Sequence, residues 1–529
     1  MTRHSTKTRT DVLFRLRTEL TLSAVLCLLV TACGGSPTHF PPNHLRVAIE
    51  AAPGSVDPRR SVDAHSSRIS GLVHASLART GDDGRPIAWL ATGWQRTGRL
   101  SWRFHLRRHV RFHDGTKFDA DDVVATYRAV LNPDWASPKR ASLGALAGVR
   151  RVDSFTVEFT LVQPDAAFME IATIGILPAE IATKPPAPTA ILPGTGPYRI
   201  ESITDGFERV RLVANPHYFA GQPSIEEIEF RVVPDSVMRT LELRHGSVDF
   251  VQNAIDPDNV AWLAENEPGL AISETPYDAY QYLGVNHEHP ALGDVRVRRA
   301  IAHALGRRAI VQHLLAGQAR VADRLLPSHH WAHTGKVRQY RHNPKRAARL
   351  LDRAGYPDPD GPGGRPRLSM IYKTTNQELR RRIGEAFTAD LAEIGIDLEM
   401  RSYEWGTFYG DVRAGAFHLY SLAWVGIADP DLYRTIFHSE QTPPAGNNRG
   451  RYRDPIMDRL TERARSAEDS VRKSIVARIQ RRAARRLPYI PLWWPNQVIV
   501  ASRRLVDFSP SPSGDLLGLA SARLVDVTP

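Results

Sequence analysis

The chain has 529 residues, 42% hydrophobic and 24% charged, and a net charge of +12. That length can bury large cores and suggests two to four domains or lobes, in a composition ordinary for a globular protein. The positive excess is arginine scattered along the chain, densest at 380–382 and 481–486; these patches lack interleaved aromatics, so a nucleic-acid partner is excluded and they read as solvated faces of amphipathic helices, with attraction to an anionic membrane or acidic ligand as the alternative.

Arg3, Lys7, Arg9, Arg15 and Arg17 precede the apolar run Leu20 to Val30, and Val30-Thr31-Ala32-Cys33-Gly34 follows. A basic region, a short apolar stretch and small residues before a cysteine predict a lipoprotein signal peptide over 1–32. Cys33 is then the acylated mature N-terminus. Two or more acyl chains, at roughly 0.8 kcal/mol per buried methylene, anchor stably on the extracytoplasmic face of a cell membrane. Removing 1–32, with its five basic and two acidic residues, lowers the net charge to about +9. Cys27 leaves with the signal, so the mature chain has no route to an internal disulfide, a metal thiolate site or a cysteine nucleophile. No second long apolar segment follows.

Residues 33–44 read as a flexible tether. Leu45 to Glu50 alternates as a first strand. Trp102, Phe104 and Leu106 share a face of another, and Asp114-Gly115 turns the chain. Asp119 at N-cap and Asp122 at N3 start a helix burying Val123, Val124, Tyr127, Val130 and Leu131. Phe155, Val157, Phe159 and Leu161 alternate as a strand, and Gly194-Thr195-Gly196-Pro197-Tyr198 opens onto strands around 198–214 and 225–233. Further on, Asp294 caps a helix burying Val297, Ile301, Ala304 and Leu305. Asn343-Pro344 begins another that stops at Gly355. Leu379, Ile383, Phe387 and Leu391 make a stripe ending at Gly395, with a strand at 396–401. Arg-rich helices fill 455–487, and strand character returns from Pro488 to Val500. This mixture predicts a multi-lobed α/β protein.

Catalytic patterns are missing: there is no Gly-x-Ser-x-Gly elbow, no His-Glu-x-x-His and no phosphate-cradling glycine loop. His105, His109 and His113 lie on a strand leading into a turn and scatter. His287, His289, His329, His330 and His333 lie in loop-like sequence beside prolines and are read as surface loops, not as a metal site. The chain is expected to be no enzyme and to need no cofactor or metal.

Several stretches together resemble the family 5 extracytoplasmic solute-binding proteins of bacterial ABC importers, the oligopeptide, dipeptide and nickel-binding group. They are Leu45-Arg46-Val47-Ala48 with Val56-Asp57-Pro58, and Leu90-Ala91 with Trp94. The string from Trp102 through Phe112-His113-Asp114-Gly115 and Phe118 to Tyr127 is close to a signature. Gly194 to Tyr198, Gly246-Ser247-Val248-Asp249, Asp294 to Ile301 and Ala347 to Tyr356 complete the set, spread from about 45 to 500. The resemblance implies a two-lobed periplasmic-binding-protein-like fold of type II with an extra subdomain, closing on a hinge around a central cleft. Lobe I takes 45–275 with a subdomain inserted at about 76–190, lobe II takes 280–485, and 490–529 returns to lobe I. The segment 102–127 is expected to be structural.

In peptide-binding relatives a Gly-Trp-x-x-Asp stretch lines the cleft, the tryptophan as wall and the aspartate as partner of the peptide ammonium. Here Ala423-Trp424-Val425-Gly426-Ile427-Ala428-Asp429-Pro430 matches it, with Ile427 where that aspartate usually falls. Either Asp429 or Asp431 reaches in, or the ligand is not an ordinary free-amine peptide. Tyr403, Glu404 and Trp405 resemble another wall segment; Tyr280 and Tyr282 lie near the expected hinge; Asn447 and Asn448 sit in a loop that runs near the cleft in relatives. The function implied is a monomeric, lipid-anchored binder that delivers peptides or a peptide-like solute to an ABC permease. Haem or a metal chelate would fit the same fold. A sensor or adhesion lipoprotein on that fold and an exported hydrolase are the rival readings.

Overall fold

The computed structural model describes residues 43–185, 189–358, 360–361 and 364–526. The expected signal peptide, Cys33 and the tether up to residue 42 lie outside the described residues.

A sheet of 12 strands runs through the molecule. Its axis is the 14-residue strand Tyr489–Ser502, rich in aromatic and β-branched residues as a strand buried on both faces requires. Its first part, from Tyr489 to Trp493, pairs antiparallel with Ala279–Val285. Its last part pairs with Leu270–Pro276 and Phe250–Gln252. Proline cannot donate to a ladder, and both prolines fall where pairing changes. Pro491 sits beside the register shift between Gln281 and Tyr282. Pro495 pairs with Ala319 of the short strand Ala319–Val321, between the two main partners. The chain thus crosses from one half of the sheet to the other twice, through 276–279 and through 494–496.

In the first half, His44–Ile49 lies parallel to both Glu227–Val232 and Phe250–Gln252. Arg209–Ala214 and Tyr198–Thr204 extend the edge. Leu45, Val47, Ile69, Leu72, Phe230 and Phe250 form a core to which Leu516 and Leu519 return from the C-terminal segment. The Gly246-to-Asp249 stretch is explained here: buried Asp249 takes the Arg46 guanidinium at 2.7 Å and the Arg46 backbone N–H at 2.9 Å.

A second, four-stranded antiparallel sheet carries the signature-like string, with Ser101–Leu106 between Ala91–Gly98 and Thr156–Leu161 and with Leu146–Asp153 at its edge. The helix Ala120–Leu131 covers it. Asp119 and Asp122 form a reciprocal capping box, as their spacing predicts. Phe104, Val123, Tyr127, Val130 and Phe159 are fully buried in one cluster, so this segment serves packing.

In the second half, Ala279–Val285 pairs with Leu419–Val425, followed outward by Leu368–Thr375 and Ile396–Tyr403. Alternation sends Leu283, Val285 and Leu419 to one face, under the helices Val295–Ala304, Pro344–Ala354 and Glu378–Ala392. Tyr280, Tyr282 and Tyr420 go to the other, under Pro455–Ser466 and Asp469–Arg486. Asp294 and Asn343 cap as expected, and Gly355 ends its helix at φ 96°.

The histidines depart from expectation. His105 and His113 do scatter, but His113 is a clip: its Nδ1 accepts from the Gly194 N–H at 3.0 Å and its Nε2 donates to the Gly196 carbonyl at 3.1 Å. The later group is not in surface loops. His287 bonds the Pro488 carbonyl at 3.0 Å, His330 the Ala428 carbonyl at 3.0 Å, and His329 meets buried Asp278 at 2.6 Å. Loop-like sequence is here folded against the ends of the sheet, and the imidazoles satisfy carbonyls that water would otherwise reach. Among the described residues no three metal-capable side chains cluster, and no helix is long and apolar enough to cross a membrane.

Candidate functional site

The two halves and the small sheet meet at residues 425–431. The Ile427 N–H donates to the Asp278 carbonyl in the first crossing at 3.1 Å, and the Asp278 N–H donates to the Pro512 carbonyl at 2.7 Å. The turn 81–85 of the first lobe reaches across as well. The Asp83 carbonyl accepts from the Trp331 N–H at 2.9 Å, and the Arg85 guanidinium lies 5.4 Å from the Trp331 ring centre. Nearby the Ala166 N–H donates to the Arg465 carbonyl at 2.7 Å, and the Arg465 side chain holds Asp165 at 2.7 Å.

Trp424 sits at this junction because of strand register: it pairs with Tyr280, one step from the Ala279–Val425 pair at the crossing. Its ring lies parallel to that of Tyr282 at 6.3 Å, and Tyr282 stacks on Tyr489 at 4.0 Å. Tyr280 and Tyr282 are 3% and 0% exposed, so they form the floor under Trp424 instead of an open surface. Trp405, 55% exposed, begins the helix Trp405–Ala414 and stacks on Tyr409 at 5.3 Å. Tyr403, half-buried, has the Lys373 ammonium over its ring at 5.2 Å. Asn447 accepts from Arg449 at 3.3 Å, while Asn448 is buried and ties the loop to the His438 and Tyr452 carbonyls.

The two candidate aspartates lie together, and of the two only Asp429 is firmly held. Asp429 is gripped by both terminal nitrogens of Arg472, one at 2.7 Å. Asp431 lies 4.0 Å from Arg465 and is pushed up to about 6, first by burial and then by Asp429 and Asp165, against the pull of Arg465 and Arg472. Glu170, from the small sheet's lobe, joins them. The enclosed junction, with Asp429 and Asp431 facing it, holds its carboxyl well above the usual range. Ile427 is 2% exposed and packs with Tyr433 and Tyr280.

Sequence reading missed Arg449, Tyr409, Arg472 and Glu170. Arg449 is buried, with its guanidinium 4.8 Å from the Trp424 ring centre and 5.3 Å from that of Tyr409. Only the neighbouring Asn447 and Asn448 had drawn attention to its loop.

Residues 85–443 match the family model described as "Bacterial extracellular solute-binding proteins, family 5 Middle". The chain belongs to this family. It is 28% identical over 507 residues to the probable di/tripeptide-binding protein 5 of Pseudomonas aeruginosa, covering 89% of this chain and 94% of that one. Among solved structures, the oligopeptide-binding protein AppA of Bacillus subtilis, determined with a nonapeptide, superposes with a TM-score of 0.78 at 25% identity, covering 91% of this chain and 99% of AppA. NikZ of Campylobacter jejuni, determined with Ni(L-His), superposes with a TM-score of 0.80 at 24% identity, over 92% of this chain and all of NikZ; that likeness shows the fold. This family 5 protein therefore has the two-lobed solute-binding architecture, and its junction residues are candidates for the solute site.

Proposed function

We propose that this chain is the peptide-binding component of an ABC importer. It captures a small peptide or peptide-like solute between its lobes, as a monomer, and delivers it to the membrane permease. The reading includes lipid anchoring through Cys33 outside the cell, the lobe division at about 275–280 and 485–490 with the insertion at 76–190, and no chemistry of its own. The observation that carries it is the aromatic wall at the lobe crossing, Trp424 over Tyr282 with Trp405 on Tyr409 beside it. Such a wall offers large contact area with little orientation preference, which suits varied side chains. Relatives named for di-, tri- and oligopeptides support the ligand class. Two crossings of the chain, at 276–279 and 494–496, make a hinge of the kind on which binding proteins close.

A second reading has its own observation. Ile427 is packed in the core and Asp429 is committed to Arg472, so an α-ammonium in this junction meets no uncommitted carboxylate at either place and is left with Asp431, whose ion contact to Arg465 is 4.0 Å long. A solute without a free amine fits that arrangement.

Native mass spectrometry on the purified protein, followed by melting with a defined peptide library, tests the proposal. Peptides that co-purify or raise Tm, with the effect reduced at least tenfold in apparent affinity by Trp424→Ala, support it. A different small molecule co-purifying while no peptide binds would sink the peptide assignment. Unchanged affinity with a large loss of stability in Trp424→Ala would make that ring core packing.

A further inference from the structure

Among the described residues eight arginines are buried, and seven have an evident counterpart. Arg46, Arg59, Arg324 and Arg472 are paired with Asp249, Asp57, Asp323 and Asp429. Arg239, Arg298 and Arg307 clamp backbone carbonyls, among them those of Ala254, Leu487 and Pro491. Arg449 has neither. It is 6% exposed. Its Nη1 donates to the Tyr282 hydroxyl at 3.3 Å, and its Nη2 to the Tyr409 hydroxyl at 3.1 Å and the Asn447 side-chain oxygen at 3.3 Å. Among the described residues no carboxylate lies within ion-pair distance of it, and its Nε–H bonds no protein atom and is not sealed from water. The acids closest to it in sequence, on the helix Trp405–Ala414 and in its own loop, are committed elsewhere, Asp411 to Lys373 at 2.6 Å and Asp454 to Arg482.

Cation–π contacts with Trp424 and Tyr409 offset part of the cost of burying this charge, about 0.5–2 kcal/mol each. An uncompensated buried cation costs several kcal/mol, more than those contacts return. The imbalance is local to the aromatic wall. The Trp424 and Tyr409 rings that the guanidinium lies over are both half-buried, and Val425 and Trp405 beside them are 51% and 55% exposed. On the same wall the ammonium partner expected at position 427 is an isoleucine.

We propose that Arg449 is the counter-charge for a carboxylate of the bound solute, so that this protein recognises its ligand by an acidic group instead of by a free amine. The inference rests on the solute-binding reading above. A carboxylate matches the fork of a guanidinium and supplies an acceptor for the Nε–H. Closing the lobes over it removes competing water, which strengthens the pair.

The test uses matched probes on the purified protein, read by calorimetry and Tm. They are Ala-Ala-Ala, its N-acetyl form and its C-terminal amide; Ala-Glu-Ala against Ala-Gln-Ala; and succinate and citrate as non-peptide carboxylates. Acetylation is expected to change Kd less than about threefold, and loss of one carboxylate in at least one pair to weaken binding at least tenfold. Arg449→Met is expected to erase that acid preference and Arg449→Lys to keep part of it. Equal binding of acid and amide in both pairs by the unaltered protein overturns the proposal, and this comparison needs no variant to fold. An acid preference that survives in Arg449→Met overturns it too. If no peptide binds but succinate or citrate raises Tm in an Arg449-dependent way, the peptide reading fails and the carboxylate site stands. No Arg449-dependent response to either panel ends the proposal.

Discussion

Lowering the pH should unfold this protein through histidines that are held neutral, and His287 allows the effect to be isolated. Burial, followed by the charge of Arg298, lowers its pKa to about 3, although the Pro488 carbonyl it bonds works in the opposite direction. The unfolded chain titrates near 6.5. Between pH 7.5 and 4.5 the unfolded state therefore takes up a proton that the native state refuses, and stability falls as pH falls through 6.5. At pH 4.5 this is two full units below the unfolded pKa, worth about 2.7 kcal/mol; partial solvent contact of the ring reduces it to about 2 kcal/mol. His287→Gln keeps an N–H donor for Pro488 and removes the titration. Urea unfolding followed by circular dichroism at the two pH values measures it. The variant should be less stable than the parent at pH 7.5, by about 1 kcal/mol for lost packing against Tyr452. It should equal or exceed the parent at pH 4.5. A difference between parent and variant that is the same at both pH values, within about 0.5 kcal/mol, would refute a neutral His287.

Gly84 sits at φ +83° in the turn that touches the second lobe, and a Cβ there would lie 2.9 Å from the His330 ring and 3.0 Å from the Ala428 carbonyl. Gly84→Ala should weaken ligand affinity about tenfold by opposing closure, beyond the roughly 1 kcal/mol that its backbone strain takes from both states; affinity unchanged beside a lowered Tm would mean that the turn does not move. Asp431→Asn should flatten a different pH window. A carboxylate raised from 3.8 to about 6 destabilises the native state as pH rises from 4 to 6, by at most about 3 kcal/mol, so the variant should gain on the parent at pH 7 and not at pH 4. Asp249→Ala removes the carboxylate that takes both the guanidinium and the backbone N–H of buried Arg46 and should cost about 3–5 kcal/mol in urea unfolding; a loss under 1 kcal/mol would show the pair to be dispensable.

Much of the scaffold was legible because its signals are local. The Asp119/Asp122 box, the Asn343-Pro344 start with Gly355 at the end, and the alternation over 156–161 each depend on residues within a turn or two of one another. The site was less legible because it is made by pairings across the chain. Trp424 could be suspected from its motif. That Tyr280 and Tyr282 lie beneath it follows from the register with Ala279–Val285, more than 130 residues away. Asp429 read as uncommitted because its partner Arg472 is one arginine among many in an amphipathic helix. The histidines misled for a related reason: a proline-flanked loop signals irregular backbone, not exposure, and these loops cap the ends of a sheet that is covered on both faces.

The arginine excess can now be divided by what each charge meets. Of the two patches expected on solvated helix faces, Arg381, Arg481, Arg485 and Arg486 are exposed while burial lowers the pKa of Arg380 and Arg482 is paired with Asp454; most buried arginines are matched by an aspartate or by carbonyls that have lost their water. Net charge could not separate these groups, because a paired and an unpaired arginine count alike. What separates them is the acceptor inventory at each guanidinium. By that criterion the junction is asymmetric: around Asp429, Asp431, Asp165 and Glu170 four carboxylates meet two arginines, while at the aromatic wall one guanidinium meets no carboxylate. A solute that closes the lobes must suit both ends. Relief of the wall's charge by a ligand carboxylate is available at once, whereas the acidic end lowers part of its own cost by holding Glu170 toward its neutral form. The unmet demand for charge is therefore at Trp424 and Arg449, and that is where specificity should be sought.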